Sequence, residues 1–153
     1  MLTIFVYGTL KRGERNHGYC SGALRVEEGA VRGELYDLPR FGYPELIVPE
    51  ESVRAFGTDD YLGDAELQAR LSPGSPSPPE SPLVYGEILV FDDPGSRLPA
   101  IDRLEGFDPA EDSSRYRRVL LPVELEEGPR LLAWAYAVSE PWGAHVPDGR
   151  WPP

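Results

Sequence analysis

The chain has 153 residues, of which 41% are hydrophobic and 27% are charged, and these fractions are those of an ordinary globular protein. Its 26 acidic and 15 basic residues give a formal net charge of -11, which repels nucleic-acid phosphates and anionic lipid surfaces. We therefore expect neither nucleic acid nor a membrane as a partner. Residues 1–153 are predicted to form a single domain, as a monomer or a weak homodimer.

The amino-terminal residues lack the basic segment and the small-residue cleavage site of a secretion signal, and no apolar run approaches the length of a membrane span. A cytoplasmic location is therefore expected. Cys20 is the only cysteine, and His17 and His145 are the only histidines. An intrachain disulfide is impossible, and neither a metal nor a cofactor is expected.

Six segments are rich in apolar, β-branched or aromatic residues and are predicted to be strands. In chain order they are residues 2–6, 31–38, 46–48, 83–91, 118–125 and 130–138. A Gly42-Tyr43-Pro44 turn signal precedes the third segment, and residues 126–129 suit a hairpin loop between the last two.

Two shorter segments are predicted to be helices. Residues 64–71 are good helix formers, and residues 96–105 place Leu98, Ile101 and Leu104 at three-residue steps. The Pro- and Ser-rich residues 72–82 are predicted to be a mobile loop within the same domain. These elements predict an α+β fold, in which a small mixed sheet is strongly curled into a barrel-like shape and carries two or so short helices.

The first predicted strand stops abruptly at Tyr7 and Gly8. A glycine after a strand lets a ligand approach main-chain N–H groups, and several such donors can hold an anion or an oxyanion. Residues 8–13 have the two glycines of a phosphate-binding loop, but Glu14 and Arg15 stand where that loop needs Lys and Ser or Thr. A nucleotide site is therefore not predicted. The plainer alternative is that Gly8 only permits a tight turn.

The Tyr7-Gly8-Thr9-Leu10 motif occurs together with Leu104-Glu105-Gly106-Phe107 in the second half of the chain. With these two motifs the sequence resembles the gamma-glutamylcyclotransferase-like superfamily, most closely the branch of gamma-glutamylamine cyclotransferase and its small bacterial relatives. Further matches follow in the same order, at residues 31–36, 43–44, 84–88, 116–119 and 134–136. The resemblance spans residues 2–138, and the stretch 50–82 is longer than in that branch.

The resemblance implies a small α+β barrel with a pocket at its mouth and one glutamate that acts as both acid and base. We identify this glutamate as Glu105, because it ends a Leu-rich helix before an aromatic residue, and Asp102 and Asp108 are its rivals. Six residues are predicted to bind substrate: Tyr7, Gly8, Thr9, Leu10, Tyr116 and Tyr136. For the last two, the alternative is a half-buried strand aromatic with a polar tip.

The implied reaction is the intramolecular attack of the α-amine of a γ-glutamyl compound on its own γ-carbonyl, which releases 5-oxoproline and needs no cofactor. The implied substrates are γ-glutamyl amines or small γ-glutamyl compounds. Two other functions stay open: a non-catalytic module that binds an amino-acid-like ligand, and a hydrolase or acyl-transfer enzyme. His17 and Cys20 could be imagined as a base and a nucleophile, but without a third orienting group we interpret them as structural.

Overall fold

The computed structural model describes residues 1–74 and 80–153. In this part of the chain there are nine β-strands and two α-helices. The strands are β1 Leu2–Val6, β2 Arg25–Arg32, β3 Glu34–Leu38, β4 Tyr43–Ile47, β5 Ala55–Phe56, β6 Leu83–Phe91, β7 Arg117–Leu125, β8 Leu131–Ala137 and β9 Ala144–His145. The helices are α1 Tyr61–Arg70 and α2 Pro94–Glu105, and short 3-10 turns occupy His17–Cys20 and Glu50–Ser52.

The larger sheet has the strand order β2-β6-β1-β8-β7-β5, and β2 also pairs with β7. This additional pairing, of Gly29 with Leu125 and of Ala30 with Glu124, closes five of the strands into a small barrel. The neighbours β1 and β8 are parallel, which makes the sheet mixed. A second sheet has the order β4-β3-β9. The predicted α+β fold with a curled, barrel-like mixed sheet and two short helices is confirmed.

Side chains of the barrel strands alternate between two hydrophobic clusters. From β1, Ile4 joins the cluster that contains Leu98 and Ile101 of α2, whereas Phe5 joins the cluster that contains Ile88 and Leu121. The first cluster therefore holds the helices against the outer face of the sheet, and the second fills the barrel. Helix α1 also packs on this outer face, against β1 and β8.

The single strand predicted over residues 31–38 is two strands in different sheets. Gly33 separates β2 from β3, and a Cβ atom at this position would lie 2.5 Å from the carbonyl oxygen of Ile47. The close approach of β4 at this corner explains why the chain changes sheets at a glycine. The first residues of β2 were not predicted because they are polar and partly exposed.

The turn predicted at Gly42-Tyr43-Pro44 is confirmed at Gly42, which has a φ of 72° and donates to the Leu38 carbonyl at 2.9 Å, but Tyr43 and Pro44 already belong to β4. Strand β4 lies at the edge of its sheet, where a proline that lacks an N–H group does not interrupt a ladder. The helices begin earlier than predicted. Asp60 caps α1 by accepting a hydrogen bond from the Gly63 N–H at 3.0 Å, and Pro94 opens α2.

The loop predicted over residues 72–82 falls partly outside the described residues, which omit 75–79. Its described ends contain no helix or strand. Within residues 1–74 and 80–153, the helices are too short and too polar to cross a membrane.

Candidate active site

A small cleft of about 40 Å³ opens where β1 ends, between the loop that follows β1 and the carboxyl end of α2. The start of β4 forms its third side. Its walls are built from Phe5, Val6, Tyr7, Gly8, Thr9, Leu10, Tyr43, Pro44, Glu105 and Tyr136. The fold therefore brings Glu105 together with five of the six residues predicted to bind substrate, although almost one hundred residues separate the two motifs.

The loop after β1 is held by its own hydrogen bonds. The Lys11 N–H donates to the Gly8 carbonyl at 3.1 Å, and Asn16 donates to Thr9 twice, from its N–H to the carbonyl at 2.9 Å and from Nδ2 to Oγ1 at 3.0 Å. The backbone N–H groups of Gly8, Thr9 and Leu10 donate to no acceptor in the described part of the chain. Three consecutive donors are thus left open at the cleft.

Gly8 lies unusually close to β4. A Cβ atom at Gly8 would be 2.7 Å from both Cγ and Cδ of Pro44. The backbone of Gly8 does not have a positive φ, so a left-handed turn does not explain the glycine. It is required by the contact between the loop and β4, and this contact shapes the cleft.

Glu105 is the last residue of α2, and Gly106, in the left-handed conformation with φ 71°, ends the helix directly after it. The Glu105 side chain is half-buried and, within the described residues, makes no hydrogen bond or ion pair. Burial, together with the nearby charge of Asp102, raises the pKa of Glu105 to about 7. Its carboxyl group can therefore both accept and release a proton near neutral pH.

The two rivals of Glu105 have other partners. Asp102 is buried, and its carboxylate accepts hydrogen bonds from Nε and Nη2 of Arg118 at 2.8 and 3.1 Å. Asp108 is exposed and accepts a hydrogen bond from the Ala110 N–H at 2.9 Å, which is a local turn contact. Of these three carboxylates, Glu105 is the one that lines the cleft and has no partner of its own.

The predicted tyrosines are placed differently from one another. Tyr7 and Tyr136 line the cleft, but the Tyr7 hydroxyl donates to the Tyr136 carbonyl at 2.6 Å and the Tyr136 hydroxyl donates to Asp102 Oδ1 at 2.5 Å. Tyr116 is not among the lining residues, and its hydroxyl donates to the Pro44 carbonyl at 2.8 Å. Burial raises the pKa of all three phenols. They therefore serve as walls and supports, not as bases.

Cys20 and His17 do not have the features of a catalytic pair. Burial raises the pKa of the Cys20 thiol to about 11, so the thiol stays protonated at neutral pH. His17 Nδ1 lies 2.8 Å from the Leu10 carbonyl oxygen and must be the donor there, since a carbonyl only accepts. His17 thus supports the loop from outside the cleft.

Four lining residues were absent from the predicted site: Phe5, Val6, Tyr43 and Pro44. Tyr43 and Pro44 belong to the series of matching motifs, so the resemblance could have indicated these two residues.

A larger groove of about 490 Å³ lies across β2, β6 and the end of β7, with Lys11 and Arg150 on its walls. None of the predicted site residues lines this groove. Among residues 1–74 and 80–153, no group of three His, Cys, Asp or Glu side chains could hold a metal ion.

Comparison with known proteins gives consistent relatives. A curated protein of Niallia circulans, gamma-L-glutamyl-butirosin B gamma-glutamyl cyclotransferase, is 28% identical over 141 residues, which cover 91% of this chain and 68% of that protein. Among solved structures, an AIG2-like protein from Mus musculus has a TM-score of 0.55 at 24% identity, over 91% of this chain and 78% of that one. The structure of the Mus musculus protein shares the fold described above.

YkqA from Bacillus subtilis has a TM-score of 0.61 at 19% identity. The match covers 98% of this chain but only 39% of YkqA, so this chain corresponds to less than half of that protein. A sequence model of the family described as gamma-glutamyl cyclotransferase, AIG2-like, matches residues 4–72 and 65–153. The chain belongs to the AIG2-like gamma-glutamyl cyclotransferase family.

Proposed function

We propose that the protein is a cyclotransferase that releases 5-oxoproline from γ-glutamyl amines or small γ-glutamyl compounds. The observation that carries this proposal is the pairing, in one cleft, of a carboxyl group whose pKa is about 7 with three open backbone N–H donors. The carboxyl group of Glu105 suits proton transfer, and the donors of Gly8, Thr9 and Leu10 suit a carboxylate or an oxyanion.

The reaction begins with the substrate's α-ammonium group, which must lose a proton before it can attack. Ionised Glu105 accepts this proton, and the free amine then attacks the γ-carbonyl carbon to close a five-membered ring. Because nucleophile and electrophile belong to one molecule, holding the curled conformer is worth on the order of 7 kcal/mol or more. The tight walls around Glu105 suit that task.

The tetrahedral intermediate carries a negative oxygen and a leaving nitrogen that needs a proton. Protonated Glu105 returns its proton to this nitrogen, and the C–N bond breaks. The Glu105 carboxylate then takes the second proton from the ring nitrogen and passes it to the departing amine, while 5-oxoproline remains. A backbone donor aimed at the developing oxyanion is typically worth about 3 kcal/mol. The Gly8–Leu10 loop supplies such donors, for the oxyanion or for the α-carboxylate of the substrate.

The choice of γ-glutamyl amines rests on three supports. The sequence resembles the branch of the family that acts on them, and the relative from Niallia circulans is named for a γ-glutamyl derivative of butirosin B. The acidic character of the protein, with a net charge of -11, also favours a leaving group that carries an amine.

The test is a substrate panel. Purified protein is incubated with γ-glutamyl amines, γ-glutamyl dipeptides and glutathione, and 5-oxoproline and glutamate are both measured. We expect 5-oxoproline from γ-glutamyl amines or small dipeptides, with less from glutathione. Glutamate instead of 5-oxoproline would indicate a hydrolase, and neither product from folded protein would indicate a binding module.

A further inference from the structure

A buried cluster of charges lies beneath the cleft, centred on Arg118 of β7. The Arg118 side chain is fully buried and donates to Asp102 of α2 at 2.8 and 3.1 Å and to Asp64 Oδ2 of α1 at 2.8 Å. Its Nη2 atom also reaches the Thr58 carbonyl at 2.8 Å. One guanidinium thus connects both helices with the sheet.

The cluster is connected to the cleft through Asp102, whose hydrogen-bond partner Tyr136 lines the cleft. Asp102 Oδ1 accepts the hydrogen bond from the Tyr136 hydroxyl at 2.5 Å, and the Tyr136 ring lines the cleft. The main-chain carbonyl of Asp102 accepts from the Phe107 N–H at 2.9 Å and so closes the last turn of α2 around Glu105. Asp64, by contrast, bonds to Arg118 and to the N–H and hydroxyl of Thr58.

We propose that Asp102 is a positioning residue, clamped by Arg118, that holds the Tyr136 wall of the cleft and the Glu105 end of α2 in one fixed arrangement. The inference rests on the proposed function, since it gives Asp102 a role in the placement of the acid–base group. Asp102 takes no proton from the substrate, because its carboxylate is occupied by Arg118 and Tyr136.

Asp102 also acts on Glu105 through its charge. The other titratable groups that face Glu105 come from five further segments, and they are the phenols of Tyr7, Tyr43, Tyr116 and Tyr136 and the thiol of Cys20. The nearby cations Arg115 and Arg118 are paired with Glu45 and with Asp64 and Asp102. Burial is the larger cause of the raised pKa of Glu105, and the negative charge of Asp102 adds to it, so removal of that charge should lower the pKa.

The experiment compares Asp102→Asn with a matched control, Asp64→Asn. Both variants remove one carboxylate from the same buried arginine, so both should lose stability to thermal unfolding. Only Asp102→Asn should lower kcat, by about tenfold to a hundredfold as expected for a misplaced catalytic group, and move the acid limb of the kcat/KM profile to lower pH. Equal kcat and equal acid limbs in the two variants would overturn the proposal.

A milder variant, Tyr136→Phe, covers the case in which Asp102→Asn does not fold. It keeps the aromatic ring and the Asp102 charge and removes one hydrogen bond. We expect a lower kcat with an unchanged acid limb. A wild-type kcat in this variant would contradict the role of the hydrogen bond to Asp102.

A further readout needs no turnover. Carbon NMR of the Glu105 carboxyl group gives its titration midpoint directly, and this midpoint should be lower in Asp102→Asn than in wild type and Asp64→Asn. Absence of 5-oxoproline with every substrate would end the proposed function, whereas an unshifted Glu105 midpoint in Asp102→Asn would end this inference. The two failures are therefore distinguishable.

Discussion

In one region of this protein the polar groups have hydrogen-bond partners, and in a neighbouring region, among the residues that the structure describes, they do not. In the cluster around Arg118, each carboxylate has donors at 2.8–3.1 Å and the guanidinium is shared between two helices. In the cleft one turn further along α2, Glu105 has no partner in the described part of the chain, and the Gly8–Leu10 N–H groups are open.

This difference in hydrogen bonding indicates which region stabilises the fold and which is available to bind a ligand. Buried polar groups in a folded protein are normally satisfied, because an unmade hydrogen bond costs about 1–3 kcal/mol. A cluster that is fully satisfied stabilises the fold, and donors and acceptors left open at a cleft are available to a ligand. Changes in the first region should therefore affect stability most, and changes in the second should affect activity.

The largest effect on activity is expected from Glu105→Gln. The amide keeps the shape of the side chain but cannot accept the substrate's proton, so kcat should fall about 10²- to 10⁴-fold. The melting temperature should not drop, because Glu105 has no partner to lose. Steady-state kinetics with circular dichroism melting checks both, and near-wild-type turnover would remove Glu105 from the mechanism.

The largest effect on stability is expected from Arg118→Met. It leaves Asp64 and Asp102 buried without their shared cation, and loss of one partner of a buried ion pair costs about 3–5 kcal/mol. The control is Arg25→Met, which breaks the exposed pair with Glu27 and should cost about 1 kcal/mol or less. Urea unfolding of both variants measures the difference, and equal losses would contradict the central place of Arg118.

Gly8→Ala tests whether a residue of the cleft also contributes to stability, through its contact with Pro44. The new methyl group would collide with the Pro44 ring, and such overpacking costs about 1–3 kcal/mol. In a Pro44→Ala background the ring is gone, and the stability cost of Gly8→Ala should shrink. A double-mutant cycle on unfolding free energies measures this coupling, and an equal cost in both backgrounds would show that Pro44 is not the obstacle.

A smaller effect concerns pH. Folding raises the pKa of Glu105 from its ordinary value of 4.5 to about 7, so between these values the folded protein binds more protons than the unfolded chain. The contribution of Glu105 to stability therefore falls as pH rises through this window and is constant above it. Glu105→Gln should gain stability relative to wild type from pH 4.5 to 7. A pH-independent difference would mean that the pKa of Glu105 is not raised.

The smallest effect is expected from residues 75–79. Replacing them with a Gly/Ser segment of equal length should change the free energy of unfolding by less than about 0.5 kcal/mol, because a Pro/Ser stretch buries little apolar surface. Ser81 is left in place, since its carbonyl accepts a hydrogen bond from Arg32 at 2.8 Å. A large loss in thermal stability would show that the segment packs on the core.

Much of the fold could be predicted from the sequence, because apolar runs such as Leu83–Phe91 identify buried strands wherever they pair. What failed depended on partners distant in the chain. The polar start of β2 forms a strand because β6 lies beside it, and Pro44 is tolerated because its strand is at an edge. Neither fact is visible in the local pattern.

The site was predicted by resemblance, not by spacing. Residues 8 and 105 line one cleft because β1 and α2 contribute to the same hydrophobic cluster, which contains Ile4 and Ile101, and hydrophobic periodicity does not predict which elements share a cluster. The sequence favours Glu105 over Asp102 by its position at the end of the helix, but it does not show which of the two carboxylates has hydrogen-bond partners. The partners of Asp102, Arg118 and Tyr136, come from strands later in the chain.

The most direct test of the cyclisation at Glu105 is the fate of oxygen during turnover. Wild-type protein is incubated with a γ-glutamyl amine in water enriched in ¹⁸O, and the products are analysed by mass spectrometry. Ring closure predicts unlabelled 5-oxoproline in equal amount to the released amine, and at least about a hundredfold slower release of both from Glu105→Gln. Glutamate that carries ¹⁸O would contradict it, because water would then be the nucleophile in place of the substrate's own amine.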